Sequence, residues 1–394
     1  MRILQLHNRY QIVGGEEGVV QAEQALLRDR GHDVALLEVS NDEIVGVWNQ
    51  AIAAASAVYS QSSKAKVTAA IEQFQPDIVH VHNFFPLLSP SVYDACRSKN
   101  IPVVQTLHNY RLGCPRAMFF RDNQICEDCL GKTIPLAGIV HGCYRGSRPQ
   151  SAVVTAMVSW HRLRGTWQER VNAYITLTQF QKEKLSQAGL PTHKIYVKPN
   201  FVFAPEPAAN FAPAIDDYAL FVGRLAEEKG VAVLIAAYVQ NGLTLPLKIV
   251  GEGPLRDSLE QQVRAAGLEQ TISFLGRQEK AVVLELMQQA KFLVFPSIWY
   301  EGFPLTIAEA FACALPVIVP QLGSMAEIVE DRVTGLHFAP RDATDLASKI
   351  VWAHQHPETI AALGRQARLT YEAKYTPAAN FDQLMGIYKT VLGQ

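Results

Sequence analysis

The chain reads as an α/β protein of two doubly wound domains, each a parallel sheet covered by helices on both faces. Three observations predict this. Strand-like and helix-like segments alternate along the whole length, which demands crossover connections and parallel pairing. The alternation breaks at APEPAANFAPAID, Ala204 to Asp216, a Pro/Ala-rich linker, and then restarts. At 394 residues the chain also exceeds one ordinary core. With 48% hydrophobic and 19% charged residues it is globular, not disordered. The expected boundaries are 1–203 and 217–376, joined by 204–216, with 377–394 crossing back to the first domain.

In the first half, Arg2 to Leu6 reads as a strand and Val19 to Arg30 as an amphipathic helix. GHDVALLEV, Gly31 to Val39, is a helix stop followed by a strand. Ile71 to Phe74 ends a helix, PDIVHVH gives a strand from Asp77 to His82, and Val103 to Leu107 ends in His108. Tyr174 to Thr178 is a further strand, and IYVKPNFV leads out of the domain. The second half opens with a strand at Tyr218 to Val222, followed by Gly223, Arg224, Lys229 and Gly230. Leu247 to Leu255 is a strand running into G-x-G at Gly251. Arg256 stands where a dinucleotide fingerprint would place its third glycine, so that reading is weak. A long helix ends near Lys374, and Pro377 to Leu392 is the last element.

FPSIWYEGFPLTIAEAFACALPVIVP, Phe295 to Pro320, concentrates the chemistry. The apolar run Phe292 to Phe295 is a buried strand. A loop with Gly302, Phe303 and Pro304 follows, and an Ala-rich helix starts near Leu305. Proline suits a helix start, and a helix start after a parallel strand offers free amides and a positive dipole end to an anion. Glu301 and Glu309 bracket that mouth. Carboxylates repel phosphate but accept hydrogen bonds from hydroxyls, so the pattern suits a sugar or ribose attached to a phosphate. The plainer alternative is that Glu301 only favours the helix dipole and Glu309 is solvated. An acid on so apolar a helix, however, calls for a partner.

Glu301, GFPLTIAEA and Glu309 match the E-x7-E motif, and the whole chain resembles glycosyltransferase family 4, whose members are retaining enzymes of GT-B architecture. That architecture implies two Rossmann-like domains with parallel sheets facing across a cleft. The resemblance implies a nucleotide-sugar donor held mainly by the second domain. In GR-x4-KG, Arg224 and Lys229 would clamp the diphosphate, a task suited to a guanidinium fork and an ammonium point charge. Unaided, two basic loop residues are usually solvated. His108 would contact the sugar near the reacting carbon, Glu301 the sugar hydroxyls and Glu309 the ribose. Gly14 and Gly15, in GGEE, would lie against the diphosphate. Gly223, Gly251, Glu252, Arg277 and Asn200 complete the expected donor contacts with Gly302, Phe303, Pro304 and Leu305. His80, His82, Asn83 and Asn109 are placed on the acceptor side, although strand-end packing accounts for the histidines as readily.

The insert at about 112–146 is not part of the family pattern. Its cysteines, Cys114, Cys126, Cys129 and Cys143, include one C-x2-C pair and suggest a structural zinc, with reduced thiols and disulfides as alternatives. No D-x-D occurs in the sequence, so no divalent-metal donor site and no catalytic cofactor is expected. Residues 1–200 carry 21 basic and 16 acidic side chains, net +5, and the rest 15 and 21, net −6, which together give −1. Neither half is a nucleic-acid surface. The stretch with Trp160, Arg162, Arg164, Trp167 and Arg170 can seat a helix on an anionic membrane or pack its tryptophans inward. The N-terminal apolar run is too short for a signal peptide and no segment is a spanning helix, so a cytoplasmic or inner-face peripheral address is expected. The resulting expectation is sugar transfer to a glycan or lipid-linked acceptor in surface polysaccharide or glycolipid synthesis. A nucleotide-sugar epimerase or phosphorylase, or a silent binding or scaffold protein, are the alternatives.

Overall fold

The computed structural model describes residues 1–10, 15–41, 56–205 and 217–394. Gly14 and residues 206–216 of the linker lie outside them. Two compact units emerge: Met1–Arg121 with Cys126–Asn200 and Asn380–Gln394, and Asp122–Ile125 with Phe201–Ala379.

The sheet of the first unit contains β1 (Arg2–Arg9), β2 (Asp33–Ser40), β3 (Ile78–Val81), β4 (Val103–Thr106), β5 (Ala173–Thr176) and β6 (Ile195–Val197). Their order is β2-β1-β3-β4-β5-β6, with every neighbouring pair parallel. The second sheet holds β7 (Ala219–Val222), β8 (Leu247–Val250), β9 (Ile272–Gly276), β10 (Phe292–Val294), β11 (Val317–Pro320) and β12 (Gly335–Phe338). It runs β9-β8-β7-β10-β11-β12, again all parallel. Both orders are doubly wound. The chain reverses direction across the sheet between β1 and β3, and between β7 and β10. Ligands of such sheets bind beyond the strands' carboxyl ends at these switch points.

Strands buried on both faces read as unbroken apolar runs, and Ile78, Val79, Val81, Phe292, Leu293 and Val294 are all without exposure. The first helix, Gly15–Asp29, begins four residues before its apolar periodicity does. Glu16 and Glu17 stand in its first turn and carry no apolar signal. Near the C-terminus Pro357 starts the helix Pro357–Lys374, which follows Ala343–Gln355. The last helix, Pro377–Leu392, counts with the first unit from Asn380 onward. There Leu384, Ile387 and Tyr388 join Ile3, Ile78 and Val104 in one apolar cluster. Among the described residues no helix is long and apolar enough to cross a membrane.

Candidate functional site

In the second unit the expected donor residues gather at the switch point. β7 runs directly into Gly223 and Arg224, then a single 3-10 turn, Glu227–Lys229, leads to Gly230 and the helix Val231–Asn241. Gly230 has φ +67°, and a Cβ there would stand 2.0 Å from the Pro296 carbonyl oxygen. Only glycine lets these two switch-point loops touch. Glu301 follows β10, and the helix Leu305–Ala312 begins at Pro304, with no side chain capping it.

Glu301 is 5% exposed. Its Oε1 accepts from Lys229 Nζ at 2.7 Å and from the Ser297 hydroxyl at 2.7 Å. Ser324 Oγ donates to the Glu301 carbonyl at 2.5 Å, fixing the backbone as well. The Lys229 ammonium also lies 5.5 Å from the Phe295 ring centre and 5.7 Å from that of Trp299, within cation–π range. Arg224 pairs with Glu228, and its side chain stays 51% exposed. Glu309 pairs with Lys280, the partner its apolar helix calls for. Gly302, Phe303 and Leu305 lie on the same turn. Gly251, at φ +142°, packs its backbone on the Gly223 carbonyl, where a Cβ would meet the oxygen at 1.9 Å. The β8 and β7 loops are thus seated on each other. Glu252 is exposed and pairs with Arg256, and Arg277 is exposed.

In the first unit a pocket beyond β3 and β4 is lined by His82, Asn83, Phe85, His108, Asn109 and Arg111, among others. His82 Nδ1 lies 3.2 Å from His108 Nε2. Burial, reinforced by the neighbouring His80, lowers His82 to about 4. Burial, followed by His82, also holds His108 well below the usual histidine range. His108 is therefore neutral at pH 7, able to donate or accept one hydrogen bond without bringing charge. Asn83 instead closes its own turn, donating to the Asn8 carbonyl at 2.7 Å and accepting from the Phe85 amide at 3.0 Å. Asn109 accepts from the Arg111 amide at 3.0 Å. Asn200, where the chain leaves the first unit for the second, is buried. Gly15 is exposed as the first residue of its helix.

His80 is wholly buried, 2.7 Å from Tyr388 Oη and 2.8 Å from Thr106 Oγ1. Both ring nitrogens are taken, so it supports His82 instead of facing an acceptor. Behind it sits a network that sequence reasoning missed. Glu23 lies 3.2 Å from His80, 3.2 Å from His82 and 3.2 Å from Lys198, all without appreciable exposure. Burial alone would raise Glu23, but Lys198 and the two histidines hold its carboxyl well below the usual range. Glu23 shares a helix face with Val19, Val20 and Leu27, an apolar stripe on which a carboxylate was the available signal. Its partner Lys198 is 175 residues away in sequence, so spacing could not supply it.

Of the two tryptophans, Trp167 is 1% exposed and Trp160 49%, so only one packs inward. The four insert cysteines line one small cavity.

Two parallel six-stranded α/β sheets, with charged loops at a switch point, define the GT-B class of fold. Solved structures share it across nearly the full length. Anabaena HepE in complex with UDP matches 99% of this chain and 100% of that one, at TM-score 0.73 and 19% identity. A sucrose-phosphate synthase from Thermosynechococcus elongatus matches 100% and 99%, at TM-score 0.73 and 20% identity. Two family profiles tile the sequence in order: Glycosyltransferase Family 4 over residues 13–203 and Glycosyl transferases group 1 over 204–370. The chain belongs to glycosyltransferase family 4. Among curated relatives, the alpha-D-kanosaminyltransferase of Streptomyces kanamyceticus is 29% identical over 44% of this chain. The matched stretch spans 45% of that enzyme, under half its length.

Proposed function

We propose that this chain is a retaining, metal-independent glycosyltransferase that takes a sugar from a nucleotide-sugar donor. The observation that carries the reading is Arg224, Lys229 and Glu301 assembled at one switch point beside an uncapped helix start. A diphosphate there would meet two cations and a helix mouth, a preorganised electrostatic site for leaving-group charge. The half-exposed Arg224 is placed to exchange Glu228 for phosphate oxygens. Glu301, held from two sides, would accept from sugar hydroxyls, and Glu309 from the ribose. Gly223, Gly251, Glu252 and Arg277 would edge the nucleotide, and His108, neutral at pH 7, would serve the sugar near its anomeric carbon. The UDP bound by HepE and the sugar transfer named for the kanosaminyltransferase support this donor class.

Chemically, the acceptor hydroxyl attacks the anomeric carbon from the face the diphosphate leaves. The bond to the leaving phosphate oxygen breaks, and that oxygen takes the acceptor's proton. The acceptor is read as a glycan or lipid-linked sugar in surface polysaccharide or glycolipid synthesis, at the inner face of the membrane. Exposed Trp160 and Leu163, with the Arg164 guanidinium 5.7 Å from the Trp160 ring centre, support peripheral attachment there.

The test is donor turnover across UDP-, GDP- and ADP-sugars, followed by NMR of the product's anomeric proton. Lys229→Ala is expected to lower kcat/KM by about a hundredfold or more, with the α-configuration of an α-donor preserved in the product. Near-normal turnover of Lys229→Ala, or an inverted product, would sink the reading.

A further inference from the structure

Cys114, Cys126, Cys129 and Cys143 are spread over thirty residues of sequence, yet they line a single small cavity. Two other cysteines, Cys96 and Cys313, are buried elsewhere, and all six are free thiols. The convergence is built by the backbone. Cys126 is placed by its amide donating to the Phe119 carbonyl at 2.9 Å, and Cys143 by donating to the Gly138 carbonyl at 2.9 Å. Gly138 itself is pressed onto Pro115, where a Cβ would come within 2.7 Å of the ring. Cys114 closes a turn by donating to the Tyr110 carbonyl at 2.9 Å. Three separate stretches of chain, one carrying the Cys126/Cys129 pair, therefore bring four thiols to the same spot.

The first half of the segment has a short ribbon, Phe120–Arg121 with Gln124–Ile125, and buried Phe119 and Phe120, but the stretch after Cys129 has little to hold it in place. Its one helix, Leu136–Val140, is five residues long. Ile134, Leu136 and Val140 are 50–60% exposed, so they contribute little core. The stretch between Cys129 and Cys143, short and poor in buried apolar surface, is of the kind that a metal organises. The cavity wall also contains Arg116 and Arg121. Four thiolates around a divalent ion carry a net charge of −2, which the Arg116 guanidinium would offset in part, Arg121 being paired with Asp128 at 3.0 Å.

We propose that Cys114, Cys126, Cys129 and Cys143 bind one zinc ion as a tetrathiolate. This goes beyond the transferase reading and does not depend on it. Among the described residues the trio of ligand-type groups drawn within 4.8 Å of one another is Glu23, His80 and His82, not the thiols. Lys198 already neutralises that trio, and Tyr388 and Thr106 occupy its histidine. Among the described residues no three of the thiol sulfurs lie within 4.8 Å of one another. Zinc would draw them to about 3.8 Å from one another, the edge of a tetrahedron with 2.3 Å bonds, releasing four protons as the thiolates form. Cys114 lies three residues past Arg111, so the ion would anchor the loop that lines the pocket beside His108.

The experiment is elemental analysis of the full-length chain purified under reducing conditions, with mercurial titration of its thiols. About one zinc per chain is expected, released in step with modification of four thiols. Cobalt substitution should give the visible bands of a tetrahedral thiolate site. Cys129→Ser should lose the metal, while Cys96→Ala keeps it. Should Cys129→Ser fail to fold, the titration of the unaltered chain decides. Background metal with six freely titrating thiols would overturn the proposal, as would a disulfide within the quartet or iron in place of zinc.

Discussion

In the first unit Glu23 and Lys198 are each 2% exposed and His80 not at all. In the second, the Arg224 and Lys280 side chains are 51% and 55% exposed and Lys229 is 21%. Both units are doubly wound parallel sheets, so the difference does not come from architecture. Charges sealed in a core must be paired permanently, because an unpaired buried ion costs several kcal/mol. Charges at a strand-end rim can exchange a carboxylate partner for a ligand's oxygens at little cost. One frame thus holds a fixed, sealed network in the first unit and a rim of exchangeable pairs in the second.

The sharpest way to break that contrast is to unpair the sealed network. Lys198→Met leaves Glu23 buried without its cation and should cost about 3–5 kcal/mol in denaturant unfolding. The double variant Glu23→Leu/Lys198→Met should recover much of that loss, since an apolar pair of similar volume replaces the ions. If the single variant unfolds like the parent, the network is not a support.

Next in size is a change at the rim that concerns backbone, not charge. Gly230→Ala would put a methyl 2.0 Å from the Pro296 carbonyl oxygen at φ +67°. The two switch-point loops would have to part, at a cost of about 2 kcal/mol or more, read as a lower unfolding midpoint. Donor affinity should fall with it.

The sealed groups also set a pH profile. Burial foremost lowers His7 and His82 to about 4, from an ordinary 6.5. Below pH 6.5 the unfolded chain takes up protons that the folded chain refuses, so stability falls as pH drops from about 6.5 toward 4. Glu16 runs the other way. Burial, then the neighbouring Glu17, raises it to about 8 from 4.5. The folded chain keeps that proton while the unfolded chain releases it, so this contribution is lost as pH rises from 4.5 through 8. Histidines outnumber the acid between pH 4.5 and 6.5, which places the maximum near pH 6.5. Thermal midpoints across pH should show that maximum, and Glu16→Gln should flatten the alkaline limb and steepen the acid limb between pH 4.5 and 6.5.

Legibility followed the same divide. The placement of the switch-point loops was readable because Arg224, Lys229, Glu301 and Glu309 lie within motifs and next to strand ends, where position in sequence determines position in the sheet. The alternation of strands was readable for the same local reason. Glu23, Lys198 and Tyr388 were not, because a buried network is assembled from residues hundreds of positions apart, such as His80 and Tyr388. His80 resembled a ligand for that reason: a histidine ending a strand gives no local sign that a distant tyrosine already occupies it. The insert cysteines stand between these cases, their C-x2-C pair visible in sequence and their convergence visible only in the fold.

The smallest expected effect tests the exchangeable side. Lys280 pairs with Glu309 while keeping 55% of its side chain exposed. An exposed partner of this kind contributes about 0–1 kcal/mol, so Lys280→Ala should barely move the unfolding midpoint. Glu309 is the group proposed for the ribose, and a rim carboxylate that trades partners should bind it without first releasing a lysine. The Lys280→Ala variant should therefore show a donor KM equal to or slightly below that of the parent, with kcat unchanged. Glu309→Ala, by contrast, should raise KM. A Lys280→Ala variant that loses donor binding as fully as Glu309→Ala would mean the pair acts as a fixed unit, and the rim would then resemble the sealed core after all.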